Sequence, residues 1–126
     1  MVKAQRKSDT MVAELKVRNH DFVAGLVEKL GGRDEGPNPH EYVEAALAAC
    51  TVLTAQMYAA RKGIPLESTD VVVKIISEGE ETQISRQISY RGDLTQEQRD
   101  RLSDILERCP IHNLLESKIT ISTTVS

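Results

Sequence analysis

The sequence is poor in aromatic residues and in positive charge. Aromatic side chains make up 3% of the 126 residues, tryptophan is absent, and the formal net charge is −3. Such a chain has no general attraction for phosphate groups, and it has few rings on which nucleic-acid bases could stack. We therefore expect no nucleic-acid partner and a core built from aliphatic side chains.

Long apolar runs are also missing. No stretch reaches the roughly 18 consecutive apolar residues that indicate a membrane span. The first ten residues, MVKAQRKSDT, contain no apolar signal-peptide core. We therefore expect a cytoplasmic protein with no membrane partner. The length is typical of one domain, and we predict a single domain over residues 1–126.

Cysteine is scarce, since only Cys50 and Cys109 are present. In a reducing compartment, two cysteines do not indicate a permanent structural disulfide. If they pair, we expect the pairing to be transient and catalytic. The other interpretation is that each thiol is a small buried hydrophobic group, because free cysteine is among the most buried residue types.

The longest helical pattern covers residues 38–63. Pro39 suits a first helical turn, and Gly63 follows two cations as a typical helix end. Apolar residues fall on every side of this helix, which predicts burial all round. A small domain covers only one side of such a helix with its own sheet. We therefore predict a homodimer in which a partner subunit covers the rest.

A second helix is predicted to begin at Thr95, where Thr95 and Gln98 form a capping-box sequence. Apolar residues then recur at helical spacing, and Cys109 is the last of them. Pro110 ends this helix and can begin a short one over residues 111–116. Cys109 would then cap the short helix, where free N–H groups favour a thiolate.

Strand patterns complete an α+β fold with the order β-β-α-β-β-α-β. Each cysteine lies on the apolar face of a separate helix, so the two thiols could meet where the helices pack. They would then suit a peroxidatic and resolving pair, but spacing alone does not separate this role from core packing. The predicted strands are residues 11–17, 22–30, 71–76, 83–90 and 118–125, of which the third and fourth form a hairpin.

Two segments resemble the OsmC/Ohr family of thiol-dependent peroxidases. The first is GPNPHEYVEAALAACT with the following MYAARKGIPL. The second is ISRQISYRGDLTQEQRDRLSDILERCPIHNLLESKITIST, which contains the Cys-Pro pair of the second thiol. The resemblance extends over roughly residues 19–125. It implies an intertwined α+β homodimer with a long central buried helix and two active sites near the subunit interface.

The resemblance also implies the reduction of organic hydroperoxides to alcohols. Cys50 matches the peroxidatic position of the family and Cys109 the resolving position. Cys50 would attack the peroxide and become a sulfenic acid, and Cys109 would convert this acid into a disulfide. An external dithiol would then reduce the disulfide. No metal, flavin or haem is implied, so we expect no cofactor.

The family uses a glutamate to hold the thiolate and the peroxide. In its best-studied members this glutamate directly follows Asn-Pro, whereas this chain has His40 there and Glu41 one position later. Nine residues of regular helix turn through about 900°, which predicts that Glu41 lies opposite Cys50. Glu41 is therefore either a catalytic residue that acts across the dimer or a first-turn carboxylate favoured by the helix dipole. His40 is either a solvated loop residue or a base.

The family also uses an arginine, which has no matching motif here. Arg6 and Arg18 lie in the N-terminal region where relatives supply it. Arg86 is unusual because it shares a predicted strand face with apolar residues. Such an arginine either extends to solvent or pairs with a carboxylate, and it could equally supply a cation to Cys50. We name Arg86 as a supporting site residue.

Other functions stay open from the sequence. The same fold could serve as a non-enzymatic module with inert thiols, binding a small apolar ligand or acting as a dimeric interaction protein. A third hypothesis is thiol chemistry on another oxidant, such as a persulfide or a disulfide. Cys109 and His112 have a ligand-like spacing, but one such pair with Cys50 is too little for a structural zinc site, and we expect no metal.

Overall fold

The computed structural model describes residues 1–126 and has the mixed helix and strand content of an α+β protein, as predicted. The contacts within the chain define two compact units, residues 1–43 and 44–126. The strands are β1 (Lys3–Arg6), β2 (Ala13–Val17), β3 (His20–Ala24), β4 (Ser68–Ser77) and β5 (Gln83–Arg91), and the helices are α1 (Pro39–Lys62), α2 (Gln96–Leu106) and α3 (Pro110–Glu116).

The first unit contains an antiparallel sheet in the order β1-β2-β3. The sequence did not predict β1, because its four residues are polar or small and all of them are exposed. The strand predicted over residues 22–30 is wrong beyond Ala24. Gly25 leaves the sheet and donates its N–H to the carbonyl of Pro37 at 3.0 Å, and Glu28–Leu30 forms a 3-10 turn. A Cβ on Gly25 would lie 3.1 Å from the backbone nitrogen of Gly36, so glycine permits this close approach.

Helix α1 buries one stripe rather than its whole circumference. Leu47, Thr51, Ala55 and Ala59 recur every fourth residue and are its buried positions. The expected all-round burial is not observed in the single chain. By length and composition alone α1 could cross a membrane, a test that core helices of soluble proteins also pass.

The second unit contains the predicted hairpin, in which β4 and β5 pair antiparallel. Thr95 caps α2 as expected: its hydroxyl accepts from the Gln98 N–H at 3.1 Å, and its own N–H donates to the Gln98 side chain at 2.9 Å. The predicted aliphatic core is also observed. It consists of Ala55, Ala59, Ile64, Leu66, Leu102 and Leu106, with Tyr58, Ile88, Tyr90 and Leu94 packed against it.

The end of the chain differs from its prediction. Residues 118–125 form no strand, and all of them are exposed. Their alternating pattern is typical of a strand, but a strand needs a neighbour to satisfy its backbone groups. No strand of this chain pairs with them. The pattern therefore indicates a preference for strand, but in the single chain no neighbouring strand is present to pair with these residues.

Candidate active site

Arg86 lies in the middle of β5, on the strand face that packs inward. Residues alternate along β5 between exposed and half-buried, and Arg86 shares the half-buried face with Ile84 and Ile88. Its guanidinium is thus directed towards the helices instead of solvent. The unusual position that the sequence indicated for Arg86 is the position it occupies.

The guanidinium of Arg86 connects three other elements of the second unit. One terminal nitrogen donates to Thr51 Oγ1 on α1 at 3.0 Å and to Cys109 Sγ at 3.7 Å. The other donates to the carbonyl of Leu106 at 2.9 Å and lies 3.1 Å from His112 Nδ1. Strand β5, the long helix α1, and the helices α2 and α3 on either side of Cys109 therefore meet at one cation.

Pro110 explains why the turn between α2 and α3 accepts a side chain. In a continuing helix the carbonyl of Leu106 would accept from the N–H of residue 110, which proline lacks. The Cys109 N–H reaches that carbonyl at only 3.5 Å, which leaves it available to Arg86. Proline also disfavours helical geometry at Cys109, whose backbone is extended with φ −65° and ψ 148°. The Cys109 side chain is fully buried.

The contact with Arg86 determines the tautomer of the neutral His112 ring. A guanidinium only donates, so Nδ1 of neutral His112 must accept and Nε2 carries the proton. Nε2 bonds to the carboxylate of Glu116 and lies 3.9 Å from that of Glu107. The side chain of His112 is 18% exposed, whereas both carboxylates are 71% exposed. A solvated pair of carboxylates is thus linked through one imidazole to Arg86.

Cys50 is half-buried on α1 and has a different polar neighbour. Its sulfur lies 3.7 Å from the hydroxyl of Thr54, one helical turn later. At about 100° per residue, Cys50, Thr51 and Thr54 lie on the same side of α1. Arg86 contacts Thr51, the residue that follows Cys50, and the sulfur to which it donates is that of Cys109. Both cysteines are free thiols in this structure.

Glu41 takes part in a helix cap within the first unit. The Glu41 N–H donates to Asn38 Oδ1 and the Asn38 N–H donates to Glu41 Oε1, both at 2.9 Å. This reciprocal pair is a capping box with Asn38 as its first member. His40 is an exposed residue of the first turn of α1. In the same unit, Arg6 donates to the carbonyl of Thr10 at 2.8 Å.

A cavity of about 540 Å³ lies beside Arg86 and His112. Its polar lining also includes Glu107 and Glu116, and its apolar lining consists of Leu47, Ile84 and Leu115. No group of three or more His, Cys, Asp or Glu side chains is arranged to hold a metal ion. Cys109 and His112 instead both face the guanidinium, whose charge opposes a cation between them.

Thr51, His112 and Glu116 are the site residues that sequence reasoning missed. The sequence indicates His112 only by its ligand-like spacing from Cys109, but the same spacing places it one turn into the helix that Pro110 begins. Glu116 follows His112 by four residues, the spacing at which helical side chains meet. Nothing in the sequence distinguishes Thr51 from a packing residue, because it lies in an alanine-rich helix.

Solved structures of similar fold include several OsmC and Ohr proteins. An OsmC-like protein of Mycoplasma pneumoniae is 18% identical, with a TM-score of 0.73 over 92% of this chain and 86% of that one. The organic hydroperoxide resistance protein OsmC of Legionella pneumophila is 22% identical, with a TM-score of 0.65 over 92% and 88%. The organic hydroperoxide resistance protein OhrB of Bacillus subtilis is 18% identical, with a TM-score of 0.62 over 92% and 89%. At these identities the likeness establishes the fold.

Comparison with curated protein sequences gives no match. The sequence pattern of the OsmC-like protein family, in contrast, matches residues 32–124, which is most of the chain. The matched segment includes both cysteines, Arg86 and His112. This chain belongs to the OsmC-like protein family.

Proposed function

We propose that this protein is a thiol-dependent peroxidase that reduces organic hydroperoxides to alcohols, with Cys50 as the peroxidatic and Cys109 as the resolving cysteine. The observation that carries the proposal is the Arg86 nitrogen that contacts both Cys109 Sγ and the hydroxyl of Thr51, the residue after Cys50. A cation and the second thiol therefore lie against the helix that carries the first thiol. Family membership and the hydroperoxide-resistance names of fold relatives agree with this role.

The proposed cycle begins at the more accessible sulfur. The Cys50 thiolate attacks the terminal oxygen of the hydroperoxide, the O–O bond breaks, and the alkoxide leaves and takes a proton to become the alcohol. Cys50 is then a sulfenic acid. The Cys109 thiolate attacks Cys50 Sγ, the S–O bond breaks, and hydroxide leaves as water after protonation. An external dithiol supplies the two electrons that reduce the disulfide, so the cycle requires no bound cofactor.

The substrate class follows from the lining of the cavity beside Arg86. Its aliphatic residues Leu47, Ile84 and Leu115 can bury the organic part of a hydroperoxide. Burial of apolar surface contributes about 25 cal/mol per Å². A hydroperoxide with a hydrocarbon substituent is therefore a better substrate than hydrogen peroxide. We propose that the cycle operates in the cytoplasm, where thiols stay reduced. The net negative charge and the few aromatic residues give no general attraction for nucleic acid.

We also propose that the protein acts as a homodimer. Helix α1 leaves Leu53 and Met57 about 60% exposed, and Ile121 near the chain end is 83% exposed. A second copy can cover these residues and supply the missing strand neighbour for residues 118–125. Glu41 lies on the side of α1 opposite Cys50, so a catalytic role would require it to act on the partner subunit. A monomeric mass by light scattering would contradict the dimer.

The test of the proposed function is peroxide consumption by the reduced protein. With dithiothreitol as reductant, we expect turnover of cumene hydroperoxide, and we expect Cys50→Ser to abolish it. With no reductant present, Cys109→Ser should give one equivalent of alcohol and stop at a sulfenic acid that dimedone traps. A Cys50→Ser protein that stays as active as the wild type would refute the proposal. Turnover of a persulfide or a small disulfide in preference to peroxides would identify another oxidant.

A second candidate is a non-enzymatic module with inert thiols. The complete burial of Cys109 favours it, because a buried cysteine is often a packing residue. The two candidates differ in one measurable respect. An inert pair stays reduced when the folded protein is treated with a hydroperoxide, whereas a catalytic pair loses two thiols per peroxide.

A further inference from the structure

We infer that Arg86 acts on Cys109 rather than on Cys50, and that His112 is the positioning residue that directs Arg86 to this sulfur. The inference rests on the proposed thiol cycle and assigns the arginine to its second half. In that half Cys109 first attacks the sulfenic acid and later leaves the disulfide. Cys109 carries the negative charge before the first step and after the second.

The acceptors around Arg86 support this assignment. They are a hydroxyl, a carbonyl, an imidazole nitrogen and the sulfur of Cys109. Among these four, only the sulfur can become an anion. Hydrogen bonds from a guanidinium to an ionised acceptor are about twice as strong as those between neutral groups. A negative charge that develops on the Cys109 sulfur during the cycle therefore meets a charged donor. The hydroxyl beside Cys50 supplies no charge.

Two fixed acceptors hold the guanidinium in place. The Thr51 hydroxyl donates to the carbonyl of Leu47 at 2.7 Å, which leaves its oxygen lone pairs directed at Arg86. The carbonyl of Leu106 is available because Pro110 has no N–H. These two bonds orient opposite ends of the guanidinium. The nitrogen bound to Thr51 is then also the one that faces the sulfur of Cys109.

His112 completes the arrangement from the far side of Arg86. Its Nδ1 accepts from the nitrogen that does not contact the sulfur, and its Nε2 proton bonds to Glu116. The exposed carboxylates thus orient the imidazole instead of binding Arg86 in its place. If His112 lost its acceptor nitrogen, this end of the guanidinium would lack a partner and could turn towards the solvated carboxylates. Cys109 would then lose its donor.

The same geometry selects the sulfur that a reductant attacks. Cys50 is half-buried, whereas Cys109 is fully buried and faces the cation. A reductant thiolate forms a bond to Cys50 Sγ, the bond between Cys50 and Cys109 breaks, and its electron pair stays on Cys109 next to Arg86. The second thiol of the reductant then attacks the mixed disulfide, which releases reduced Cys50 and the oxidised reductant. Stabilising the leaving thiolate speeds such an exchange.

The experiment measures the two halves of the cycle separately. For the first half, Cys109→Ser is reacted with cumene hydroperoxide and the Cys50 sulfenic acid is trapped with dimedone. For the second half, the disulfide is formed with the thiol oxidant diamide, and its reduction by dithiothreitol is followed by thiol release. Because diamide forms the disulfide independently of peroxide, the second measurement does not depend on hydroperoxide activity.

The two His112 variants differ in whether the new side chain presents an acceptor to Arg86. His112→Asn keeps an oxygen near the position of Nδ1, whereas His112→Gln places its oxygen near that of Nε2. Arg86→Lys and Arg86→Met remove the fixed donor geometry. We expect His112→Gln and Arg86→Met to slow disulfide reduction about tenfold or more, and His112→Asn to stay within about twofold of the wild type. Arg91→Met, an exposed arginine of the same strand, is the matched control.

The outcomes separate the inference from the proposed function. In Arg86→Met and His112→Gln, disulfide reduction should slow by a larger factor than sulfenic acid formation, since a role at Cys109 acts on the second half of the cycle. If these variants slow sulfenic acid formation as much as they slow disulfide reduction, Arg86 serves Cys50 and the inference is wrong. Equal rates for His112→Asn and His112→Gln, or no Cys50–Cys109 disulfide with diamide, would also overturn it. Failure of the wild type to consume hydroperoxide refutes only the proposed function.

Discussion

The two cysteines lie in contrasting surroundings, although both belong to the second unit. Cys50 is half-buried in the middle of a long helix, and its polar neighbour is a threonine hydroxyl. Cys109 is fully buried at a turn between two helices and accepts from a guanidinium. Access to reagents thus favours Cys50, whereas a charged hydrogen-bond donor contacts Cys109. A two-thiol cycle needs both properties, and this chain divides them between two residues.

Removing each thiol in turn should have the largest effect. Cys50→Ser is expected to abolish peroxide turnover, because its sulfur is the proposed nucleophile. Cys109→Ser is expected to retain one rapid turnover and then stop, because no resolving thiol follows. Stopped-flow measurement of the first equivalent of alcohol separates the two variants. If Cys109→Ser lost the first turnover as well, the division of roles between the cysteines would be wrong.

Substitution of Thr51 and Thr54 should have the next largest effect. Thr51→Val leaves an Arg86 donor without its buried acceptor, so the free energy of unfolding should fall by about 1–3 kcal/mol. It should also slow disulfide reduction. Thr54→Val is the matched control, since it removes the half-buried hydroxyl near Cys50, and it should cost less than about 1 kcal/mol. Denaturant unfolding followed by circular dichroism checks both values. A greater cost for Thr54→Val would contradict the contrast between the sites.

The capping box of α1 provides a smaller effect in the first unit. Asn38→Ala removes a side-chain cap and should lower the free energy of unfolding by about 1 kcal/mol. Glu41→Gln keeps both capping hydrogen bonds and removes only the charge. We expect it to unfold like the wild type and to form the Cys50 sulfenic acid at an unchanged rate. A large loss of that rate in Glu41→Gln would show that a carboxylate serves Cys50 after all.

The exposed carboxylates near His112 should matter least. Glu116→Gln keeps an acceptor for the Nε2 proton of His112 and removes one solvated charge, which contributes at most about 1 kcal/mol. Disulfide reduction should therefore slow by no more than a few-fold. Glu97→Gln, in an exposed ion pair of α2, is the control. If Glu116→Gln slowed disulfide reduction as much as Arg86→Met does, the carboxylate charge, rather than the orientation of Arg86, would control the reactivity of Cys109.

The sequence predicted the helices better than the strands. Pro39, Gly63, Thr95 and Pro110 are local signals, and each lies at or next to a helix end in the structure. Strand extent depends on neighbours that a local pattern does not contain. The pattern of residues 118–125 is as regular as that of β5, but this chain offers it no partner strand.

The sequence predicted some residues of the candidate site, but not the contacts that they make. The apolar pattern around Arg86 indicated a side chain with an internal target. Which target it reaches depends on the carbonyl that Pro110 leaves available and on the position of Thr51 on α1. These are consequences of tertiary packing, so the sequence left solvent, a carboxylate or Cys50 open as the target of Arg86, whereas its hydrogen bond to sulfur in the structure is to Cys109.

The most direct measurement is a peptide map of the oxidised protein. The reduced wild type is treated with one equivalent of cumene hydroperoxide, its remaining thiols are alkylated under denaturing conditions, and its peptides are analysed by mass spectrometry without reduction. We predict one disulfide, between Cys50 and Cys109, together with one equivalent of alcohol. Two alkylated thiols with the hydroperoxide unconsumed would contradict it.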